Sequence, residues 1–314
     1  MMLRIDQELP SASAAVADRR RGRFPLTAII LTRNEESNIG ECLRRLDWVD
    51  DVVVVDSGST DGTFRIIGSV RPDARVFEHP FENFGTQRNW ALDETSPKHE
   101  WILFLDADER CTVDCANAVR AAVKDPGDHV GFYLTCRNIF LGQWIKRCTF
   151  YPSWQLRLLK HGQVRYRQEG HGQREVTDGP MGYIHEPYDH YGFSKGVAHW
   201  IDRHNGYSTA ELELISRLCD EPLSVRDLFR GAVSRRRCLK RIAARTGFRP
   251  LSRFVYTYFL RGGIFDGRAG LHFCLLRTAH EIHITVKLAE LRSSKSVRPA
   301  DQPEAPSDTA RLAS

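Results

Sequence analysis

The run Trp101-Ile-Leu-Phe-Leu105 is unbroken apolar sequence that ends abruptly in Asp106-Ala107-Asp108-Glu109. A short apolar run of this kind, closed by polar residues, fits a strand buried on both faces, and such strands belong to parallel sheets covered by helices. Side chains alternate across a strand, so Asp106 and Asp108 project from one face as a pair able to hold a divalent cation. Upstream, Val52-Val-Val-Val55 also runs out into acid, as Asp56-Ser57-Gly58-Ser59-Thr60-Asp61-Gly62. Ligands of open α/β sheets sit at the carboxyl ends of the strands, so two acid-tipped strands mark one crevice suited to a metal and a nucleotide.

The rest of the first half supports such a sheet. Leu26 to Leu31 reads as a strand, and Asn34-Glu-Glu-Ser37 opens a helix with Ile39, Leu43 and Leu46 on its apolar side. A short helix follows from Asp61 with Phe64 and Ile67, then a weaker strand from Arg75 to Phe77 and a helix from Gln87 to Leu92. The acid-tipped strand comes next, and Val113 to Val123 reads as another helix. This alternation predicts a parallel sheet with right-handed crossovers. Thr60 and Asp61 suit the cap of the short helix. After Gly131 the segments Phe132 to Thr135, Trp154 to Leu159 and Val164 to Arg167 follow one another without helices, the mark of an antiparallel extension. A helix is expected from about Ser194 to Leu218, and the sequence stays helical in character to about Leu291.

The domain organisation expected is a loose tail over 1–24, a catalytic domain over 25–220, a basic, amphipathic helical region over 221–291 and a disordered tail over 292–314. At 41% hydrophobic and 27% charged, 314 residues suit one core domain with appendages rather than a fibrous or disordered chain. Eight cysteines lack paired metal spacing, which points to reduced cytoplasmic thiols. No secretory signal is expected at the N-terminus, and no segment approaches the ~20 apolar residues of a membrane span.

Three stretches together resemble the family-2 glycosyltransferases of the GT-A fold: Thr27-Ala-Ile-Ile-Leu-Thr-Arg-Asn-Glu-Glu-Ser-Asn-Ile39, Val55-Asp-Ser-Gly-Ser-Thr-Asp-Gly-Thr63 and Leu105-Asp-Ala-Asp-Glu109. Phe84-Gly-Thr-Gln-Arg-Asn-Trp90, Tyr151-Pro-Ser-Trp-Gln-Leu-Arg157, Gly170-His-Gly-Gln-Arg-Glu175 and Pro187-Tyr-Asp-His-Tyr-Gly-Phe-Ser-Lys-Gly196 resemble the branch that builds bacterial lipopolysaccharide cores and exopolysaccharides. The resemblance covers roughly Pro25 to Leu291. It implies an α/β GT-A fold, a mainly parallel sheet flanked by helices with a small antiparallel extension and a C-terminal helical segment. It also implies inverting transfer of a sugar from a nucleotide-sugar donor, a UDP-sugar first, to a lipid-linked or lipopolysaccharide-type acceptor.

Site roles follow from the same resemblance. Thr32, Asn34 and Glu35 belong to the loop that cups the nucleoside, and Asp56 takes the position that accepts a hydrogen bond from the base. The family's usual Asp-Asp-Gly-Ser is Asp56-Ser57-Gly58-Ser59 here. Asp106 lies toward the ribose, and Asp108 is the primary ligand of a Mg2+ or Mn2+ ion, with Asp106 beside it. Oxygen ligands favour these hard cations over zinc. Arg88 offers a fixed cation near the diphosphate. The Glu-Asp pair that often carries the family's base does not follow the metal motif, which leaves Glu175, Glu169 and His171 as candidates, with Glu175 favoured and His171 alternatively orienting acceptor or phosphate. A glutamate, ordinarily titrating at about 4.3, is ionised at neutral pH and able to take a proton. The pair Gln155 and Arg157 either lines the acceptor side or forms the polar face of a strand. The histidines from His171 to His204 are too irregularly spaced for a metal cluster.

Basic residues crowd 226–253, Arg235, Arg236, Arg237, Lys240 and Arg241 among them, ahead of the aromatic-rich Phe254 to Phe259. That composition suits peripheral contact with an anionic membrane, here the cytoplasmic face of a bacterial inner membrane, or else a solvated basic face; no nucleic acid is expected. Leu271, Leu275, Ile282, Val286 and Ala289 form an apolar stripe that docks on lipid or on the catalytic domain. Two rival functions remain: a non-catalytic sugar-nucleotide-binding or membrane-scaffold protein on the same fold, and a nucleotidyltransferase, which normally carries a Gly-rich loop where this chain has Thr32-Arg-Asn-Glu-Glu36.

Overall fold

The computed structural model describes residues 22–169, 172–212 and 248–297, with scattered positions between 215 and 245. The first half alternates as its hydrophobic periods require: β1 (Phe24–Thr32), α1 (Ile39–Arg44), β2 (Val49–Asp56), α2 (Thr63–Val70), β3 (Arg75–Glu78), α3 (Phe84–Glu94), β4 (Trp101–Asp106), the short β5 (Glu109–Arg110) and α4 (Val113–Lys124). β2, β1 and β4 pair in parallel, with Ile29 facing Val53 on one side and Phe104 on the other. The alternation divides the core in two. Ala28, Ile30, Val52, Val54, Leu103 and Leu105 pack under α1 and α4, against Leu43, Leu46 and Val119. Ile29, Val53, Val55, Ile102 and Phe104 pack on the opposite face against Ala91 and Leu92 of α3.

The second half adds β6 (Gly131–Phe140), β7 (Gln143–Trp144), β8 (Trp154–Lys160), β9 (Arg165–Glu169), β10 (Gly172–Val176) and β11 (Met181–His190). Among the described residues one sheet runs β3-β2-β1-β4-β8-β6-β11-β5, with β7 on β6, and β9 and β10 form a separate hairpin. β8 pairs antiparallel with both β4 and β6, as the change of texture after Gly131 implies. The expected strand at Val164 to Arg167 lies in the separate hairpin instead, and β11, which the sequence did not announce, pairs with β6 in parallel. Its register breaks between Ile184 and Tyr188, where Pro187 stands; a bulge is the place within a sheet that tolerates proline.

Asn34 to Ser37 form a loop rather than the first turn of a helix, and α1 starts at Ile39 with Asn38 at its N-cap. Asn34 has φ 54°, a left-handed conformation that asparagine tolerates better than most residues. α2 is capped from Gly62, while Asp61 accepts the Thr63 amide at 3.0 Å.

The C-terminal part comprises α5 (Gly196–Ala210), α6 (Arg249–Phe254), a π-helical turn (Val255–Leu260), a 3-10 turn (Gly263–Asp266) and α7 (Gly267–Val297). α7 continues past Arg292, where a tail was expected to begin. The chain divides into two compact units, Met1–His204 with Phe254–Leu276, and Asn205–Arg253 with Arg277–Ser314; the first unit thus takes back the aromatic segment that follows residue 253. In the first unit Phe140, Ile145, Cys148, Ala269 and Cys274 form a satellite core. In the second, Ile215 packs with Ile284 and Leu288, and Lys287 donates to Asn205, Ser208 and Thr209. In the expected apolar stripe on α7, Leu275, Ile282 and Val286 are between 47% and 62% exposed and Leu271 is half-buried. Among the described residues no helix is long and apolar enough to cross a membrane, and the described cysteines are free thiols.

Candidate active site

The parallel register sets the strand ends side by side. Thr32 at the end of β1 pairs with Asp56 at the end of β2, and Leu31 pairs with Asp106 at the end of β4. Three neighbouring strands therefore deliver Thr32, Asp56 and Asp106 to one edge of the sheet.

The loops beyond that edge are stitched to each other. The Asn34 amide donates to Ser59 Oγ at 2.7 Å, and the Thr60 amide donates to Asn34 Oδ1 at 2.8 Å. The Glu35 amide reaches Thr63 Oγ1 at 2.8 Å, and the Gly62 amide reaches the Glu36 carboxylate at 2.8 Å. Asp56 is fully buried: one oxygen accepts the Gly58 and Ser59 amides at 2.9 and 2.7 Å, and the other accepts the Ser59 hydroxyl. Both oxygens thus brace its own loop. Ser57, where the family usually has aspartate, receives the Gln87 amide at 3.1 Å, and Gln87 also pairs with His79. The Glu35 carboxyl, pushed up by burial against the pull of Lys195, accepts from the Lys195 ammonium at 2.5 Å and from Asn38 at 2.7 Å. Asn38 also donates to Ser194, so the loop after β11 is tied to the loop after β1.

Two buried arginines meet at Asp106. Arg157 from β8 donates to Asp106 Oδ2 at 3.0 Å and also reaches the Glu109 carboxylate, while Tyr188 accepts its Nε at 3.2 Å. Arg88 from α3 donates to Asp106 Oδ1 at 3.3 Å, with its guanidinium 4.9 Å from the Phe104 ring centroid and 5.7 Å from that of Tyr166. Burial favours the neutral acid, but Arg157 and Arg88 outweigh it and hold the Asp106 carboxyl below the usual range. Glu109 goes the other way: burial, with the neighbouring Asp106 charge, raises its carboxyl against the pull of Arg157. Arg88 is buried, and one of its guanidinium nitrogens reaches Asp106 while Nε and the other nitrogen make no hydrogen bond.

Asp108 has a different partner. His190, the last residue of β11, brings Nε2 to 3.4 Å from Asp108 Oδ2, and the Tyr191 amide donates to the Asp108 carbonyl at 2.9 Å. The ring's Nδ1 faces Asn138 Oδ1 at 2.9 Å, which sets Nδ1 as donor and aims Nε2 at Asp108. Burial opposes both charges, but each stabilises the other, so the Asp108 carboxyl lies well below the usual range and the His190 ring well above it.

The base candidates stand on the β9–β10 hairpin. Glu175 is half-buried and accepts a short hydrogen bond from the Tyr133 hydroxyl of β6. Glu169 is exposed and paired with Arg174 at 2.6 Å. His171 lies outside the described residues. The hairpin is anchored on α3, where Asn89 exchanges hydrogen bonds with the Tyr166 backbone at 2.8 and 2.9 Å.

Sequence reasoning left Arg157 between two roles and passed over His190. For Arg157 the signal was an arginine enclosed by Leu156, Leu158 and Leu159, which is stable only against buried acid. For His190 it was the Tyr-Asp-His-Tyr run, hidden because Pro187 disguises the strand that carries it.

The family model for glycosyl transferase family 2 matches residues 27–192. Over 147 residues the chain is 29% identical to the lipopolysaccharide core biosynthesis glycosyltransferase LpsC of Rhizobium meliloti (strain 1021), covering 46% of this chain and 54% of that protein. It is 26% identical over 218 residues to the prophage-derived glycosyltransferase SunS of Bacillus subtilis (strain 168), covering 68% of this chain and 47% of the relative. The chain thus spans about half the length of these curated relatives. Among solved structures, S. aureus TarS 1-349 aligns with a TM-score of 0.42 at 14% identity, over 88% of this chain and 93% of that one. With more than half its length matched by the family model, the chain belongs to glycosyl transferase family 2.

Proposed function

We propose that this chain transfers a glycosyl group from a nucleotide-sugar donor, in the first instance a UDP-sugar, to a hydroxyl of a lipid-linked or lipopolysaccharide-type acceptor, with inversion at the anomeric carbon. The observation that carries this reading is the alignment of Thr32, Asp56 and Asp106 on one sheet edge, with Asp108 just beyond, in a chain of this family. The reaction belongs to bacterial surface polysaccharide synthesis at the cytoplasmic face of the inner membrane, where nucleotide sugars are available.

The loop of Thr32, Asn34 and Glu35 and the braced Asp56 form the nucleoside end of the site. Asp108, with Asp106 beside it, would hold Mg2+ or Mn2+ through carboxylate oxygen, and His190, whose ring Asp108 holds above its ordinary value, would add a nitrogen ligand to Mn2+ on giving up its Nε2 proton. Among the described residues no three His, Cys, Asp or Glu side chains converge as a closed cage. When bound, the cation supplies Lewis-acid neutralisation of the charge that develops on the departing diphosphate. Arg157 and Arg88 keep Asp106 ionised and fixed, so it orients the donor without rearranging. As the bond from acceptor oxygen to anomeric carbon forms and the bond to the diphosphate breaks, Glu175 accepts the hydroxyl proton, with Tyr133 setting the carboxylate's orientation. Glu169, exposed and engaged with Arg174, is the poorer base.

The test is nucleoside diphosphate release from a panel of UDP-, GDP- and dTDP-sugars with membrane-extracted acceptors. Acceptor-dependent release from one donor is expected. Donor binding without release under any acceptor would favour the non-catalytic binding reading.

A further inference from the structure

The segment that joins α6 to α7 exposes apolar surface in a way the transferase chemistry does not use. Phe259 is 55% exposed, Leu260 75%, Ile264 46% and Phe265 74%. Tyr256, on the same turn, is 45% exposed. Isolated exposed apolar residues need no explanation, but a contiguous group of large ones does.

The projection is built, not slack. The π-helical turn closes with the Arg261 amide on the Tyr256 carbonyl at 2.8 Å, and the 3-10 turn with the Phe265 amide on the Gly262 carbonyl at 3.0 Å. Gly262 has φ 75°, which a side chain would strain, and a Cβ on Gly270 would lie 2.4 Å from the Gly263 carbonyl, so α7 packs backbone to backbone beneath the turn. Asp266 pins the turn from below: its Oδ2 accepts the Arg147 and Cys148 amides at 2.7 and 2.9 Å.

The rim is cationic. Arg147 holds its guanidinium 4.6 Å from the Phe265 ring centroid, and Arg261 lies 5.0 Å from that of Phe150, which stacks near Tyr256. Lys146, Arg147, Arg261 and Arg268 are all exposed. The acid within this turn, Asp266, is turned inward on the loop it caps.

We propose that the turn from Tyr256 to Phe265 is a membrane wedge: Phe259, Leu260, Ile264 and Phe265 enter the interface of an anionic bilayer while Lys146, Arg147, Arg261 and Arg268 meet the headgroups. Aromatic and aliphatic side chains projecting between cations match an anionic interface on both counts, apolar depth and surface charge. A second copy docked through the same face would set these cations against their like, which disfavours self-association. The wedge is independent of the transferase reading, because it needs neither donor nor metal. It shares Tyr256 and Phe259 with the aromatic run that sequence composition nominates, but its cations come from Lys146, Arg147, Arg261 and Arg268 rather than from the basic segment 226–253, most of which lies outside the described residues.

The full chain should float with vesicles of phosphatidylcholine containing phosphatidylglycerol and far less with phosphatidylcholine alone, the difference shrinking as salt rises. Replacing the exposed pair, Leu260→Ser with Phe265→Ser, should lower vesicle partitioning by about tenfold or more with an unchanged circular dichroism spectrum. Replacing Arg147→Gln with Arg261→Gln should mainly remove the preference for anionic lipid. In the unaltered chain, vesicles should slow amide hydrogen exchange across 255–266. Three results would overturn the wedge: equal flotation of the serine variant, unchanged exchange over 255–266 while the chain is vesicle-bound, or a concentration-dependent oligomer that the serine substitutions dissolve.

Discussion

The imidazole of His190 stands 3.4 Å from the carboxylate of Asp108, joining the end of β11 to the loop after β4. The contact forms because β11 lies parallel to β6 and so ends at the same edge as β1, β2 and β4. Asn138 fixes the far ring nitrogen, so the acid and the imidazole form a preset pair at the place proposed above for the cation.

His190→Ala should therefore weaken Mn2+ binding by roughly ten- to a hundredfold. Calorimetric titration of Mn2+ with donor nucleotide present checks this. An unchanged affinity would leave Asp108 as a ligand without this partner.

Arg157 pairs with the buried Glu109 and with the half-exposed Asp106, so its loss strands the Glu109 charge rather than a simple contact. Arg157→Met should cost about 3–5 kcal/mol in urea unfolding. Adding Glu109→Gln to that variant should recover part of the loss, because the stranded acid is then neutral. No recovery would mean that Glu109 takes up a proton once Arg157 is gone.

Asp51 provides a pH test away from the site. Burial raises its carboxyl, but Arg75, the Lys98 amide and the Thr27 hydroxyl together bring it below the ordinary value. A depressed group stabilises the fold above its unfolded value and loses that contribution as pH falls through the folded value. The wild type should lose stability on acidification below about pH 4 more steeply than Asp51→Asn, which should itself be less stable at neutral pH by about 1–3 kcal/mol. Parallel acid limbs in the two proteins would contradict the assignment.

Glu175→Gln should lower kcat by about 10²–10⁴ with donor affinity retained, as removal of a general base does. Tyr133→Phe should give a smaller fall, since it only orients the carboxylate. An unaffected rate in Glu175→Gln would move the base to Glu169 or His171.

Much of this architecture was legible because it is periodic. The apolar runs of β1, β2 and β4 and the spacing of Ile39, Leu43 and Leu46 give the parallel core, and the acids at the strand ends locate the edge where Asp56 and Asp106 meet. What was not legible depends on long-range pairing. The parallel placement of β11 is masked by its bulge at Pro187, so His190 read as one of several scattered histidines. The packing of Arg88 against Phe104 and Tyr166 depends on strands distant in sequence, so its burial was not legible either. The inward turn of both Asp56 oxygens onto Ser59 and Gly58 is set by local loop geometry that composition does not reveal.

On the function proposed above, this sheet edge binds a nucleoside diphosphate through a divalent cation on Asp108, with Asp106 and His190 beside it. Isothermal titration of UDP into the chain, with Mn2+ and then with EDTA, alongside Asp108→Asn, tests it most directly. The account predicts saturable binding with Mn2+ that collapses with EDTA and in the variant. UDP binding of equal strength under all three conditions would contradict it.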